Sequence, residues 1–245
     1  MIEGVSPDLP YTDRLPAPNM WGLRLARPLV RFGLRLSWRV TVHGAQRVPR
    51  SGPVILAANH IGILDGPALL ALTKRLTFAL VKREAFTGAV GRFLAYIGQI
   101  SLNRRDVDPQ AIRKAIQVLR AGRVLAVFPE GVRSGGEVAW ARRGAAYLAM
   151  VSGAPIVPVA ILGTREPGQS KNQLPRLRGS IHLVYGEPFS LPRTPWPRRK
   201  AAVAEWTAVV RERLADHIVA AQALTGLPLP GPPKARIRRL HPSSP

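Results

Sequence analysis

The sequence predicts an α/β domain, and three observations carry that prediction. Short apolar runs at residues 54–58, 124–128 and 156–162 have the length and composition of buried strands. Helical stretches stand between them, and turns bearing glycine or proline punctuate the alternation. At 245 residues and 46% hydrophobic composition, the chain is long enough to bury one sizeable core.

Taken in order, residues 1–19 are rich in proline and read as irregular. Residues 20–39 follow as a basic amphipathic stretch. Arg24, Arg27, Arg31, Arg35 and Arg39 recur every three or four residues, which on a helix confines them to an arc of roughly 120°. Leu25, Leu29 and Leu36 fall elsewhere on the wheel, and Pro28 is expected to break the stretch into two shorter helices. Strands are expected at 40–43, 54–58, 77–81, 156–162 and 180–185, with a short one near Ile100. Helices are expected at 65–74, 140–151 and 206–224. Asp108 reads as the cap of another helix, with Pro109 at its first position and Gly122 at its end. Residues 144–164 carry no charge and match a membrane span in length. Their internal Ser152-Gly153-Ala154-Pro155 turn instead divides them into a buried helix and a buried strand. The domain therefore covers 40–226, and 227–245 is a basic, proline-rich tail expected to be disordered.

Composition narrows the function. The chain has no cysteine, which excludes disulfides, thiolate metal sites and cysteine nucleophiles and fits a reducing compartment. The first twenty residues lack the apolar core of a secretory signal. Thirty-six Lys and Arg against 14 Asp and Glu leave a net charge of +22, which suits a polyanionic partner, either nucleic acid or anionic lipid. From Arg14 to Leu64 no acidic residue occurs. Trp21, Phe32 and Trp38 add aromatics of the kind found at lipid interfaces. A membrane-contact surface of Trp21, Arg24, Arg27, Arg31 and Arg35 is therefore expected, apolar face down and arginines among phosphates.

Three segments can carry chemistry. In Asn59-His60-Ile61-Gly62-Ile63-Leu64-Asp65 an apolar strand ends in a polar pair, where α/β sheets place their sites. His60 and Asp65 are five apart, about 140° on an unbroken helix, so they meet only if His60 lies in a turn and the helix begins later. Asp65 would then hold one imidazole nitrogen and leave the other free to take a proton from a hydroxyl. In the second segment, Phe128-Pro129-Glu130-Gly131-Val132-Arg133-Ser134, a strand runs into a glycine loop with charges suited to phosphate. The third runs from Gly98 to the paired Arg104 and Arg105, whose forks match phosphate oxygens.

In this order the segments resemble the blocks of the glycerophospholipid acyltransferase family, typified by 1-acylglycerol-3-phosphate acyltransferases. Asn59-His60 with Asp65 is similar to the Asn-His-x4-Asp block, and Gly98 to Arg104 to the Gly-x5-Arg block. Phe128 to Ser134 is similar to Phe-Pro-Glu-Gly-Thr-Arg-Ser, with Val132 in place of threonine. Ile156-Val157-Pro158-Val159 resembles the proline-centred block. The likeness extends over residues 38–190 and implies that family's fold, a mixed sheet flanked by helices.

It also implies roles. His60 would be the base on the acceptor hydroxyl and Asp65 its orienter. Asn59, Arg104, Glu130, Gly131, Arg133 and Pro158 would hold or shape the substrate site. The donor would be an acyl-CoA or acyl-carrier-protein thioester, with no other cofactor and no metal. The acceptor would be a lysophospholipid, foremost 1-acylglycerol 3-phosphate, with glycerol 3-phosphate or another lyso-acceptor as alternatives. The protein would act at the cytoplasmic face of the cell membrane as a peripheral or monotopic enzyme, with no nucleic-acid partner. The non-enzyme alternative, a basic nucleic-acid-binding module, lacks zinc-finger cysteines and the aromatic-basic sheet pattern of RNA-recognition folds.

Overall fold

The computed structural model describes residues 10–12, 15 and 19–233. Helix α1 (Trp21–Ser37) leads into strand β1 (Arg39–His43) and, after a turn, β2 (Val54–Ala58). Then come α2 (Asp65–Leu72), β3 (Thr77–Lys82), α3 (Gly88–Tyr96) and β4 (Ile100–Leu102). Helix α4 (Pro109–Arg120), β5 (Val124–Val127), α5 (Gly144–Ser152) and β6 (Ile156–Leu162) continue the alternation, and β7 (Ser180–Tyr185) and α6 (Lys200–Thr225) close it.

The strands form one sheet in the order β1-β7-β6-β2-β5-β3-β4. Strands β6, β2, β5, β3 and β4 run parallel, while β7 pairs antiparallel with β6 and carries β1 with it. The sheet is mixed and flanked by helices, as the sequence implied. Its central strand β2 is buried along its whole length, which is why it reads as a continuous apolar run. Ile55 and Ala57 face the layer of α4, α5 and α6. Val54, Leu56 and Ala58 face α2 and the end of α1, with Leu34, Trp38 and Leu69 among them. That is the two-residue alternation of a pleated strand. The Asp108 side chain caps α4 through the Ala111 N–H at 3.0 Å, and the charge-free residues 144–164 divide into α5 and β6 around Gly153. Among the described residues no helix is long and apolar enough to cross a membrane.

Four expectations are corrected. Pro28 does not divide the basic stretch, because α1 is one helix with Pro28 inside it. The neighbouring Arg27 and Arg31 both donate to the Ala71 carbonyl, Arg31 at 2.8–3.0 Å, and Arg27 also reaches Thr73 O. These anchors on either side of the proline hold the helix through the missing hydrogen bond. They also satisfy carbonyls at the C-terminal end of α2, where positive charge is favoured. Second, Arg27 and Arg31 are accordingly turned toward the domain and not outward as membrane contacts. Third, Trp38 is buried, its indole reaching Pro175 O at 3.4 Å. Fourth, the tail does not leave the domain at residue 227. Leu227 and Leu229 pack on the core, and Gly231 O accepts from Arg165 at 2.6 Å. Residues 234–245 and most of the first eighteen lie outside the described residues.

Candidate active site

Because β2, β3, β4, β5 and β6 are parallel, their C-terminal ends share one edge of the sheet. His60 follows β2, Arg104 follows β4, the residues 128–133 follow β5, and Thr164 follows β6. A cleft of about 1150 Å³ opens there, lined by His60, Arg104, Gly131, Val132 and Arg133, with apolar walls from α1, α2 and α3.

The segment between β2 and α2 is a turn, and α2 begins only at Asp65, which brings the pair into contact. Asp65 Oδ2 lies 2.7 Å from His60 Nδ1 and also accepts from the backbone N–H groups of Ile61 (2.6 Å) and Gly62 (2.8 Å). Its other oxygen accepts from the Thr164 hydroxyl. Asp65 and Thr164 are fully buried. An acceptor so thoroughly engaged fixes the tautomer, with the imidazole proton on Nδ1 and the lone pair on Nε2. The ring stacks on Phe128 at 4.3 Å between centroids. One nitrogen held and one face covered, the imidazole borders the cleft with Nε2 remaining for chemistry. Gly62 permits the turn, since a Cβ there would overlap the Thr164 backbone carbonyl.

Glu130 is corrected from substrate contact to scaffold. It is buried, with one oxygen accepting the His60 N–H at 3.1 Å and the other the Ser134 hydroxyl. The carboxylate thus ties the β5 exit to the β2 exit, and burial raises its pKa above the ordinary glutamate value, against the lowering effect of those hydrogen bonds. Asn59 is corrected likewise: its amide is buried and exchanges two hydrogen bonds with the Ile161 backbone (2.7 and 3.0 Å), joining β2 to β6. Pro158 is buried in β6 against Gly186 and is not part of the cleft lining.

Arg104, Gly131 and Arg133 line the cleft. Arg104 donates to Gly131 O, and its buried Nε has no hydrogen-bond partner among the described residues. Gly131 has a positive φ of 70°, a conformation that favours glycine. Arg133 lines the cleft, but its guanidinium is already engaged by Lys171 O and by Asn172 Oδ1 at 2.8 Å, and burial lowers its pKa. Among the described residues no group of three or more acidic or histidine side chains could hold a metal ion.

Sequence reasoning missed Thr164, Ser134, Phe128 as a stacking partner, and Arg142, which borders the cleft and donates to Arg104 O at 3.3 Å. Thr164 stands at a strand exit, so the position rule could have flagged it. Its partnership with Asp65 needed the knowledge that β6 lies beside β2.

A parallel-sheet edge carrying a carboxylate-held imidazole beside arginines defines an acid–base enzyme site. Residues 39–162, half of the chain, match the family described as Acyltransferase, and the protein belongs to that family. It is 30% identical over 146 residues to a 1-acyl-sn-glycerol-3-phosphate acyltransferase of Borreliella burgdorferi, the match covering 57% of this chain and 58% of that protein. A protein of the same name from Bacillus subtilis is 28% identical over 177 residues, 70% of this chain and 86% of that one. The crystal structure of the 1-acyl-sn-glycerophosphate acyltransferase PlsC from Thermotoga maritima superposes with a TM-score of 0.61, covering 80% of this chain and 79% of that one at 24% identity. That likeness is one of fold.

Proposed function

We propose that the protein transfers a fatty acyl group from a CoA or carrier-protein thioester to the free hydroxyl of 1-acylglycerol 3-phosphate, giving phosphatidic acid. The observation that carries this reading is the His60–Asp65 pair, with Nδ1 fixed by a buried carboxylate and Nε2 left to an open cleft. Nε2 removes the proton of the acceptor hydroxyl as its oxygen attacks the thioester carbonyl. The tetrahedral oxyanion collapses with cleavage of the carbon–sulfur bond, and the imidazolium returns the proton to the departing thiolate. A thioester is already activated, so positioning plus one base suffices. Arg104 is the acceptor-phosphate ligand, its place in the cleft lining supporting that role.

The substrate and product are amphiphiles, and α1 is built for the surface that holds them. Trp21, Leu25, Leu29, Phe32 and Leu36 form an exposed stripe along the helix, each at least 60% accessible, with Arg24 and Arg35 exposed beside it. Such a helix suits the interface of an anionic leaflet, on the cytoplasmic side where acyl thioesters are made. Incubation with one acyl-CoA and a panel of lyso-acceptors plus glycerol 3-phosphate, read by lipid mass spectrometry, tests the acceptor. Phosphatidic acid should dominate; acylation of none of them would overturn the proposal.

A further inference from the structure

Helix α3 presents an apolar face that the fold leaves uncovered. Ala89, Val90, Phe93 and Tyr96 are all exposed, with Val90 at 64% and Tyr96 at 51%. At about 100° per residue they lie within an arc of roughly 120°. Arg92 is the sole charged residue of this helix. The face joins the stripe on α1. Asn19, just before α1, donates from its side-chain amide to Tyr96 O at 3.2 Å. Gly22 packs on that same carbonyl with no room for a side chain. On the α1 wheel Gly22 and Gly33 flank the apolar stripe on one side, and Arg24 and Arg35 flank it on the other. Gly22 therefore adjoins α3, and the arginines stand at the far rim of the stripe.

Between the two helices lies the cleft. Leu23 and Ala26 of α1, with Phe93 and Leu94 of α3, belong to the same wall that continues inward to His60. Both helices also sit in acid-free sequence: none from Arg14 to Leu64, and none between Glu84 and Asp106. An apolar surface with arginines on its rim is complementary to an anionic bilayer. A second copy of the chain would bring two such cationic rims together.

We propose that α3 is a second membrane-inserting element, which seats with α1 in one leaflet, so that the cleft opens between them and receives the lipid substrate sideways from the bilayer. The inference rests on the reading of α1 as lipid-facing, and the test separates the two. Because the chain lacks cysteine, single cysteines at Leu29 on α1, Val90 on α3 and Val219 on α6 can each carry an environment-sensitive fluorophore. Val219 is exposed on α6, which packs over β6, with three strands between β6 and β4. On phosphatidylglycerol–phosphatidylcholine vesicles the labels at 29 and 90 should shift to the blue and brighten several-fold, while that at 219 stays as in water. Val90→Asp should weaken vesicle binding about tenfold and leave turnover of a monomeric short-chain lyso-acceptor unchanged. A blue shift at 29 without one at 90 overturns the role of α3 and leaves α1 standing. No shift at either site overturns both. A shift at 90 that needs no vesicles and grows with protein concentration identifies a second copy as the occupant and also overturns it.

Discussion

At the scale of single residues, the site depends on how Asp65 is held. Its two oxygens take four donors, from His60, Ile61, Gly62 and Thr164, so its position is over-determined. Thr164 touches no substrate in this account and is a positioning residue. Thr164→Val removes a hydrogen bond to a charged group, worth about 1.5–3 kcal/mol. If part of that appears as misplacement of the imidazole, kcat should fall roughly tenfold with KM unchanged, while Thr164→Ser restores it. An equal rise in KM would place Thr164 in binding. Glu130 makes a pH prediction. Its folded pKa lies above the ordinary value, so the folded protein holds this proton after the unfolded chain has released its own. Stability from this group is therefore full below the ordinary glutamate pKa and declines as pH rises toward the raised one. Melting curves of Glu130→Gln should show a flatter loss of stability over that window than the parent protein, and parallel slopes would contradict the assignment. The His60–Asp65 meeting was legible because five-residue spacing allows contact only across a turn. The burial of Asn59 and Glu130 was not legible, since their partners Ile161 and Ser134 become neighbours only when β6 and the 130–134 loop fold against β2.

Among the elements, α1 and α3 differ most from their sequence reading. A helical wheel finds the arginine arc of α1 but cannot say which side meets the domain. The structure turns Leu23 and Leu34 inward, assigns Arg27 and Arg31 to the end of α2, and leaves the leucine stripe outward. The anchoring arginines and the outward stripe of α1 should separate in mutants. Arg31→Ala leaves the Ala71 carbonyl to Arg27 alone and should cost about 0.5–1.5 kcal/mol, lowering Tm by about 2–4 °C per kcal/mol. Leu29→Ser with Phe32→Ser should leave Tm nearly unchanged and release the protein from anionic vesicles in a sedimentation assay. Retention on vesicles would contradict the lipid-facing stripe. Helix α3 escaped the sequence reading altogether: with Gly88 and Gly91 in nine residues and no capping hydrogen bond from the Thr87 side chain, it is weakly supported by local interactions. Strands β2, β6 and β7 were legible to the residue, because buried strands bounded by glycine and proline leave little freedom of assignment.

For the whole molecule, the parallel strands gather site residues from four exits to one edge, while the charge of +22 supplies attraction to anions at long range. Charge alone does not separate a membrane from nucleic acid, but the proposed lipid-facing stripe predicts that the two respond differently to salt. In 1 M salt, where screening acts within about 3 Å, binding to a DNA duplex should vanish while part of the vesicle binding survives through apolar contact. Loss of both together would reduce the membrane attachment to electrostatics. The central claim, that one carboxylate-steered imidazole activates a lipid hydroxyl, is tested most directly by the His60→Ala protein. With an acyl-CoA and 1-acylglycerol 3-phosphate, thiol release should drop by about 10²–10⁴-fold at an unchanged melting temperature. Turnover equal to that of the parent protein would contradict it.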